Sequence, residues 1–261
     1  MNWTFWLGIA AGGVLAWWSF KEGGGGRTLF SLHGIVIVLG GTVVATLINC
    51  PFRHIVSALG SIVSLFLPSR LPAPGDIVGE MTRLARRAQT EGGLLSLQGE
   101  SANFAGGFLN RAINVAIATG ESDETRRILE SEVRRMRIQA QEDANLLRTM
   151  GTLSPMFGLL GTLLGMIRVL ETISTPAKVG PAMALALSSA FIGISFANLV
   201  CVPVAGQLRL RAINETMVLE MILEGVLDIS AGKPPSIVEL HLLSYSAQRQ
   251  RGAAASSGAG A

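Results

Sequence analysis

An all-α, polytopic membrane protein with four transmembrane helices and a helical cytoplasmic domain is the fold class that this sequence predicts. Three observations predict it. Apolar residues gather in long blocks almost free of charge. The residues between the second and third blocks are polar and carry helical spacing. Basic residues concentrate on one side of the blocks. Composition agrees: 49% of the 261 residues are hydrophobic and only 15% charged, against about 25% charged in soluble domains.

A membrane helix needs about 20 apolar residues at 1.5 Å rise each. Residues 3–20 meet this, with Trp3 and Trp6 at one end and Trp17 and Trp18 at the other, the aromatic belts of two interfaces. No basic residue precedes this run, which disfavours a cleaved leader. A short link, residues 21–28, contains four consecutive glycines and reads as a flexible connection rather than a nucleotide loop. Residues 29–50 form the second segment, without Asp, Glu, Lys or Arg, and stop at Pro51. The third spans about residues 146–170, uncharged between Arg148 and Arg168. The fourth is expected to start at Pro181, a favourable first helical residue, and to reach Ala205 without a charge.

The polar part between the second and third segments predicts three helices. Residues 76–90 place Ile77, Met81, Leu84, Ala85 and Ala88 on one face, with Gly92 and Gly93 as the stop. Residues 103–119 repeat the pattern and end at Gly120. Residues 122–147 are charged, with Asp123–Arg127 and Glu130–Arg134 spaced for i,i+4 pairing, and run straight into the third segment. After the fourth segment, residues 207–229 continue as helix until Gly232, Pro234 and Pro235, and a short helix is expected over 237–246. The Ala/Gly/Ser tail is expected to be disordered. The organisation is therefore 1–50 for the first two membrane helices, 51–147 for a cytoplasmic domain and 148–206 for the last two membrane helices. Cytoplasmic helices follow over 207–251, and the tail over 252–261.

Eleven Lys or Arg lie between Pro51 and Leu147 and five more follow Gly206. With four spans, the large loop and both termini share a side. The basic excess makes that side the cytoplasm, and the chain a multi-pass protein of a bacterial inner membrane. A net charge of +3 without a basic, aromatic-interleaved stripe argues against nucleic acid. Cys50 and Cys201 sit in or beside apolar blocks and read as packing thiols. His33, His54 and His241 lack metal-ligand spacing. No phosphate loop, carboxylate pair or nucleophile elbow appears, so neither an enzyme nor a cofactor is expected.

Chemistry is expected in the last two membrane helices. Pro155, Gly158, Gly161, Thr162 and Gly165 share a stripe in one, and Ala182, Ala186, Ser189, Gly193 and Ala197 share one in the other. Small residues allow close helix approach, which makes Gly158, Gly161, Gly165 and Gly193 packing candidates. The hydroxyls of Thr162, Ser188 and Ser189 are candidates for an ion path. So are the backbone carbonyls that Pro155 and Pro203 leave without a donor. An ion path through lipid ordinarily uses an ionisable group, yet none of the four segments holds an acid. A partner must supply the carboxylate if ions pass.

The stretches that remain carry a resemblance. They are Gly40-Gly41-Thr42 with Pro51-Phe52; Gly93-Leu94-Leu95-Ser96-Leu97; Pro155 with Gly158-Leu159-Leu160-Gly161-Thr162-Leu163-Leu164-Gly165; and Gly180-Pro181-Ala182-Met183 leading to Ala197-Asn198-Leu199 and Pro203-Val204-Ala205. Weaker matches are Glu224-Gly225-Val226 and Gly232-Lys233-Pro234-Pro235. The sequence resembles the MotA/PomA branch of the MotA/TolQ/ExbB proton channel family, flagellar-type stator subunits. The resemblance implies a homopentamer around a MotB-like single-span subunit that supplies a membrane Asp. It also implies a FliG-like rotor partner and torque driven by inward ion flow. Two departures matter. Where the family commonly has two threonines in the fourth helix, this chain has Ser189 and Ala190, which favours protons over sodium. Where the family often has a rotor-facing Arg and Glu, it has Thr90 and Gln98, leaving Arg86, Arg87, Glu91 and Glu100 as nearby substitutes. Two alternatives stay open: an ExbB/TolQ-type energiser of outer-membrane processes, and a non-conducting membrane scaffold.

Overall fold

A computed structural model describes Gly8, Val14 and residues 32–67, 71–100 and 103–258, with side chains except at Phe66 and 248–258. The expected first membrane segment lies outside the described residues apart from Gly8 and Val14, which are helical. Every regular element among the described residues is helical. Among the described residues, three helices are long and apolar enough to cross a membrane: Leu32–Asn49, Ser122–Glu171 and Pro176–Ser230. The chain divides into two compact units, one of residues 1–68 and 140–209, the other of residues 69–139 and 210–261.

In the first unit, α1 is Leu32–Asn49, with a π turn over Val36–Gly40. Thr42 and Thr46 are buried, and their hydroxyls donate to Val38 O and Thr42 O at 2.6 and 2.7 Å. That back-bonding satisfies polar groups inside an apolar helix. The helix ends because Cys50 is extended (φ −127°, ψ 139°), as a residue preceding proline prefers. A helix not foreseen follows at once: α2, Phe52–Phe66. Its Ser57 and Ser61 hydroxyls donate to Oδ2 of the buried Asp143, at 3.2 and 2.5 Å. Ile62 and Leu65 pack on a small core of Ala144, Leu147 and Leu208.

The expected third and fourth segments lie in longer helices. α5, Ser122–Glu171, runs unbroken through Pro155, and α6 covers Pro176–Ser230 with a π turn at Ala197–Cys201. The start of α6 corrects the expectation: Pro176, not Pro181, occupies the first turn, and Pro181 lies inside the helix. Pro176 fits the first turn, where the missing N–H costs least, whereas Pro181, inside the helix, removes one intrahelical hydrogen bond. The π turn lies just before Pro203, whose ring crowds the carbonyl four residues back and which cannot donate to it. Widening the turn relieves that conflict.

In the second unit, α3 is Pro74–Glu91. Pro74 fits its first turn, and the Asp76 carboxylate accepts the Ala73 N–H at 3.2 Å. The predicted face is the observed one: Ile77, Met81, Leu84, Ala85 and Ala88 are all buried. Gly92 and Gly93 end the helix at φ 97° and 91°, values that glycine adopts without penalty. The next helix, α4, is Phe108–Thr119 and starts later than residue 103. Ala105, Gly106 and Gly107 all have positive φ, which no α-helix accommodates. Helix α7, Pro235–Gly258, packs on α3. It is longer than the helix expected over 237–246 and takes in most of the tail expected to be disordered. Alanine, abundant there, is the strongest helix former. Phe108, Leu129, Met221, Ile222 and Leu242 are fully buried in this unit's core.

The charged face of α5 pairs differently from the i,i+4 expectation. Arg127 meets Glu124 at 3.6 Å and Glu130 meets Arg126 at 3.5 Å. The shorter bonds of Arg126 are bidentate to Glu224 of α6, 2.7 and 3.0 Å. A fork-to-carboxylate contact outweighs a single solvated pair. Arg126→Ala is therefore expected to destabilise this unit by about 1 kcal/mol, the modest value of a part-exposed pair. It should lower the thermal midpoint by a few degrees, whereas Arg127→Ala leaves it unchanged.

Candidate functional site

Two helices approach each other closely where the sequence is richest in small residues. Along α5, Gly151, Ser154, Gly158, Gly161 and Gly165 are buried, at alternating spacings of three and four. Along α6, Ala186, Ser189, Gly193, Ala197 and Cys201 are buried. A β-carbon on Gly161 would lie 2.4 Å from Ser189 Cβ, one on Gly165 2.5 Å from Ala186 Cβ, and one on Gly193 2.7 Å from the Ser154 carbonyl oxygen. A side chain at any of these glycines would occupy space that the facing helix already fills. The Ser154 hydroxyl donates to Gly193 O across the seam at 3.0 Å, fully buried. In an apolar surrounding, such an interhelical bond adds specificity to the packing. A third contact brings Gly41 of α1 under the Phe157 ring, where a β-carbon would lie 2.3 Å from the ring edge.

The geometry divides the predicted stripe. Gly158, Gly161 and Gly165 face α6, and Gly193 faces back. Pro155 and Thr162 lie at the edge of the seam and are half-buried. They share an open flank with Leu159 and Met166, both exposed. Thr162 Oγ1 donates to Leu159 O at 2.6 Å, so its lone pairs remain free on the flank. Ser188 and Ser189 are buried within the chain, and Ser189 Oγ donates to Leu185 O at 2.9 Å. The structure thus separates the three hydroxyls that the sequence grouped, Thr162 on a flank and the two serines inside. Pro203 is half-buried, just beyond the π turn. No Asp or Glu occurs in α1, in α5 between Asp143 and Glu171, or in α6 before Glu215.

A second cluster lies on α3. Arg83, Arg86, Arg87, Thr90 and Glu91 line a groove that Glu239 of α7 also borders. Arg87 is tied into ion pairs. Its guanidinium donates to Glu91 at 2.7 Å and also to Glu100. The hydrogen bond to Glu91, then the charge of Glu100, raise its pKa. Arg83 meets Glu80 at 2.8 Å and Glu100 at 3.3 Å. Arg86 is exposed, and among the described residues it makes no ion pair. The four expected rotor-facing residues therefore sort into a tied group, Arg87 with Glu91 and Glu100, and one open cation.

Known proteins resemble this chain in sequence and in fold. Residues 100–221 match the MotA/TolQ/ExbB proton channel family. The chain is similar to members of that family along most of its length. Chemotaxis protein PomA of Vibrio alginolyticus is 26% identical over 92% of this chain and 93% of its own length. Motility protein A of Treponema pallidum is 28% identical over 94% of each. The flagellar MotAB stator complex from Bacillus subtilis contains a chain that superposes with a TM-score of 0.80 at 25% identity, covering 93% of this chain and 97% of that one.

Two features of this chain escaped the sequence. One is the Ser154–Gly193 hydrogen bond, for which a serine beside a proline in a glycine-spaced helix is the only signal. The other is α2 with its serines on Asp143. The spacing of Phe52, Val56, Leu59 and Val63 is a legible sign of that helix.

Proposed function

We propose that this chain is an ion-channel subunit of a motor stator, coupling inward proton flow to torque on a rotor. The observation that supports it most is the acid-free, glycine-interlocked pair α5–α6, with the Thr162 hydroxyl on an open flank. A single-span partner of the MotB type completes the path by placing an Asp beside Thr162 and Pro155. Copies of this chain surround that partner, as a homopentamer. Ser188 and Ser189 act from behind the flank by setting how closely α6 lies against α5. Pro203 and the π turn before it expose carbonyls at the other end of the path. The chain crosses a bacterial inner membrane four times, with both termini and residues 51–147 in the cytoplasm. Arg86 and the Arg87–Glu91–Glu100 group face a FliG-like rotor. As a channel subunit it needs no catalytic residue of its own.

The deciding experiment is proton uptake into vesicles that hold this subunit alone, then with its single-span partner. A closed ring of Leu, Ile, Val and Ala opposes an unshielded charge by several kcal/mol, so the subunit alone is expected not to conduct. Substantial flux without the partner defeats the proposal.

Topology has its own test. A cysteine at Ala177 is expected to react with an impermeant reagent from the periplasm, and one at Gln98 is not. Labelling of Gln98 from that side overturns the orientation. For the rotor face, Arg86→Glu is expected to impair motility with assembly intact. Unchanged torque removes Arg86 from the interface.

A further inference from the structure

Helices α5 and α6 run antiparallel along their seam. Gly165 lies against Ala186, Gly161 against Ser189, Gly158 against Gly193 and Gly151 against Cys201, and Leu147 and Leu208 share the small core. One residue forward turns a helix by about 100° in a fixed sense. On two antiparallel helices whose seam residues face each other, the same forward step therefore leads to the same side. On α5 that step goes from Gly161 to Thr162 and from Leu147 to Arg148; on α6 it goes from Cys201 to Val202 and from Leu208 to Arg209. Arg148 and Arg209 thus belong to the flank that carries the Thr162 hydroxyl, at the end that the proposed topology places in the cytoplasm.

Both arginines are exposed, and among the described residues neither makes an ion pair. The described acids of this unit are committed elsewhere. Glu142 meets His54 at 3.3 Å and Asp143 accepts from Ser57 and Ser61, which turns both acids toward α2. Glu171 closes the opposite end of α5. Two guanidinium groups on one flank, repeated in every copy around a central path, repel one another across a narrow mouth and call for an anion there. Anionic headgroups meet such arginines on a lipid-facing surface, but a flank that carries the ion path faces inward, toward the partner.

We propose that Arg148 and Arg209 hold an acidic segment of the single-span partner, the residues that continue its span into the cytoplasm. This rests on the stator proposal for the partner's place beside Thr162. Fourteen residues of α5 separate Arg148 from Thr162, about 21 Å of helix, so the partner's acids stand about that far from its membrane Asp. A guanidinium fork takes a carboxylate through two parallel bonds, which fixes the depth at which the partner sits. Acids at that place also run against the usual excess of Lys and Arg beside a span, so they distinguish this partner from other single-span proteins. The test is co-purification of the tagged full chain with its single-span partner from detergent-solubilised membranes. Arg148→Glu together with Arg209→Glu is expected to lower partner recovery about tenfold, while the variant chain alone assembles like the parent because both side chains are exposed and unpaired. Lysines in place of the partner's acids are expected to cause the same loss, and the two reversals combined to restore recovery. Equal recovery by variant and parent overturns the proposal, as does a partner without acids in that segment. A loss that reversal of the partner's acids does not restore overturns it too, and where the variant's own assembly also fails, the arginines belong to lipid headgroups. A partner that is not recovered even with the parent chain defeats the stator reading itself, and this proposal with it.

Discussion

Gly193→Ala is expected to prevent α5 and α6 from assembling, with no stable complex recovered from the membrane. The new β-carbon would sit 2.7 Å from the Ser154 carbonyl oxygen, 3.1 Å from Gly158 Cα and 3.3 Å from Pro155 Cα. All three are backbone, so no side chain can swing aside. Relief requires the helices to part, which breaks the Ser154–Gly193 hydrogen bond and loosens contacts at Gly161 and Gly165. Overpacking of this kind costs about 3 kcal/mol or more, a substantial share of the stability of a domain. Gly180→Ala and Gly206→Ala add the same methyl on the same helix with nothing within 4 Å. They are the controls, and are expected to match the parent chain in expression and in thermal aggregation. A Gly193→Ala complex as stable as these controls would mean that the seam is looser than its geometry.

Thr162→Val is expected to do the opposite: an intact complex with most ion-driven work gone. The valine has nearly the same shape, and the lost hydroxyl bonded only its own helix, at Leu159 O. The side chain is half-exposed, so assembly energy changes little. The lost lone pairs matter only to something passing along the flank. Removing one stabilising oxygen at the top of a barrier costs roughly a tenfold in rate for each 1.4 kcal/mol, and about tenfold lower partner-dependent proton uptake is expected. Thr162→Ser, which keeps the oxygen, is expected to retain most of the flux. Equal flux in Thr162→Val and the parent would remove this hydroxyl from the path. Ser189→Ala is the informative contrast. Its oxygen is buried against α6's own backbone, so the substitution is expected to perturb packing before flux.

Much of the fold was legible because its signals are local. The buried face of α3 follows from the positions of five apolar residues, and its end follows from two glycines that alone tolerate positive φ. The continuity of α5 could be read because no proline and only one glycine, Gly151, stand between Ser122 and Pro155. What could not be read depends on contacts far apart in sequence. Arg126 has Glu130 four positions away, yet its closest carboxylate, Glu224, is 98 residues distant. Thr162 is one residue from Gly161, and one helical step of about 100° decides whether a side chain enters the seam or stays outside it. The stripe was therefore correct as a packing signal and too wide as a list of ion-path hydroxyls. Pro181 misled because proline marks a helix start equally well wherever a first turn falls, and Pro176 supplied an earlier one.

The π turn at Ala197–Cys201 sets the phase of everything after it. The buried residues of α6 from Ser189 through Gly193 and Ala197 to Cys201 advance by four each time, which on a regular α-helix drifts about 40° per interval. Three such intervals would carry Cys201 well away from the side that holds Ser189. The wider turn absorbs the drift, so that Cys201 meets Gly151 and Leu208 still reaches the core beside α2. Deleting one residue among 190–192, where no wider turn takes up the difference, would rotate everything beyond it by a full residue step of about 100°. Hydropathy would be indifferent to that change, and the register of the membrane bundle would not survive it.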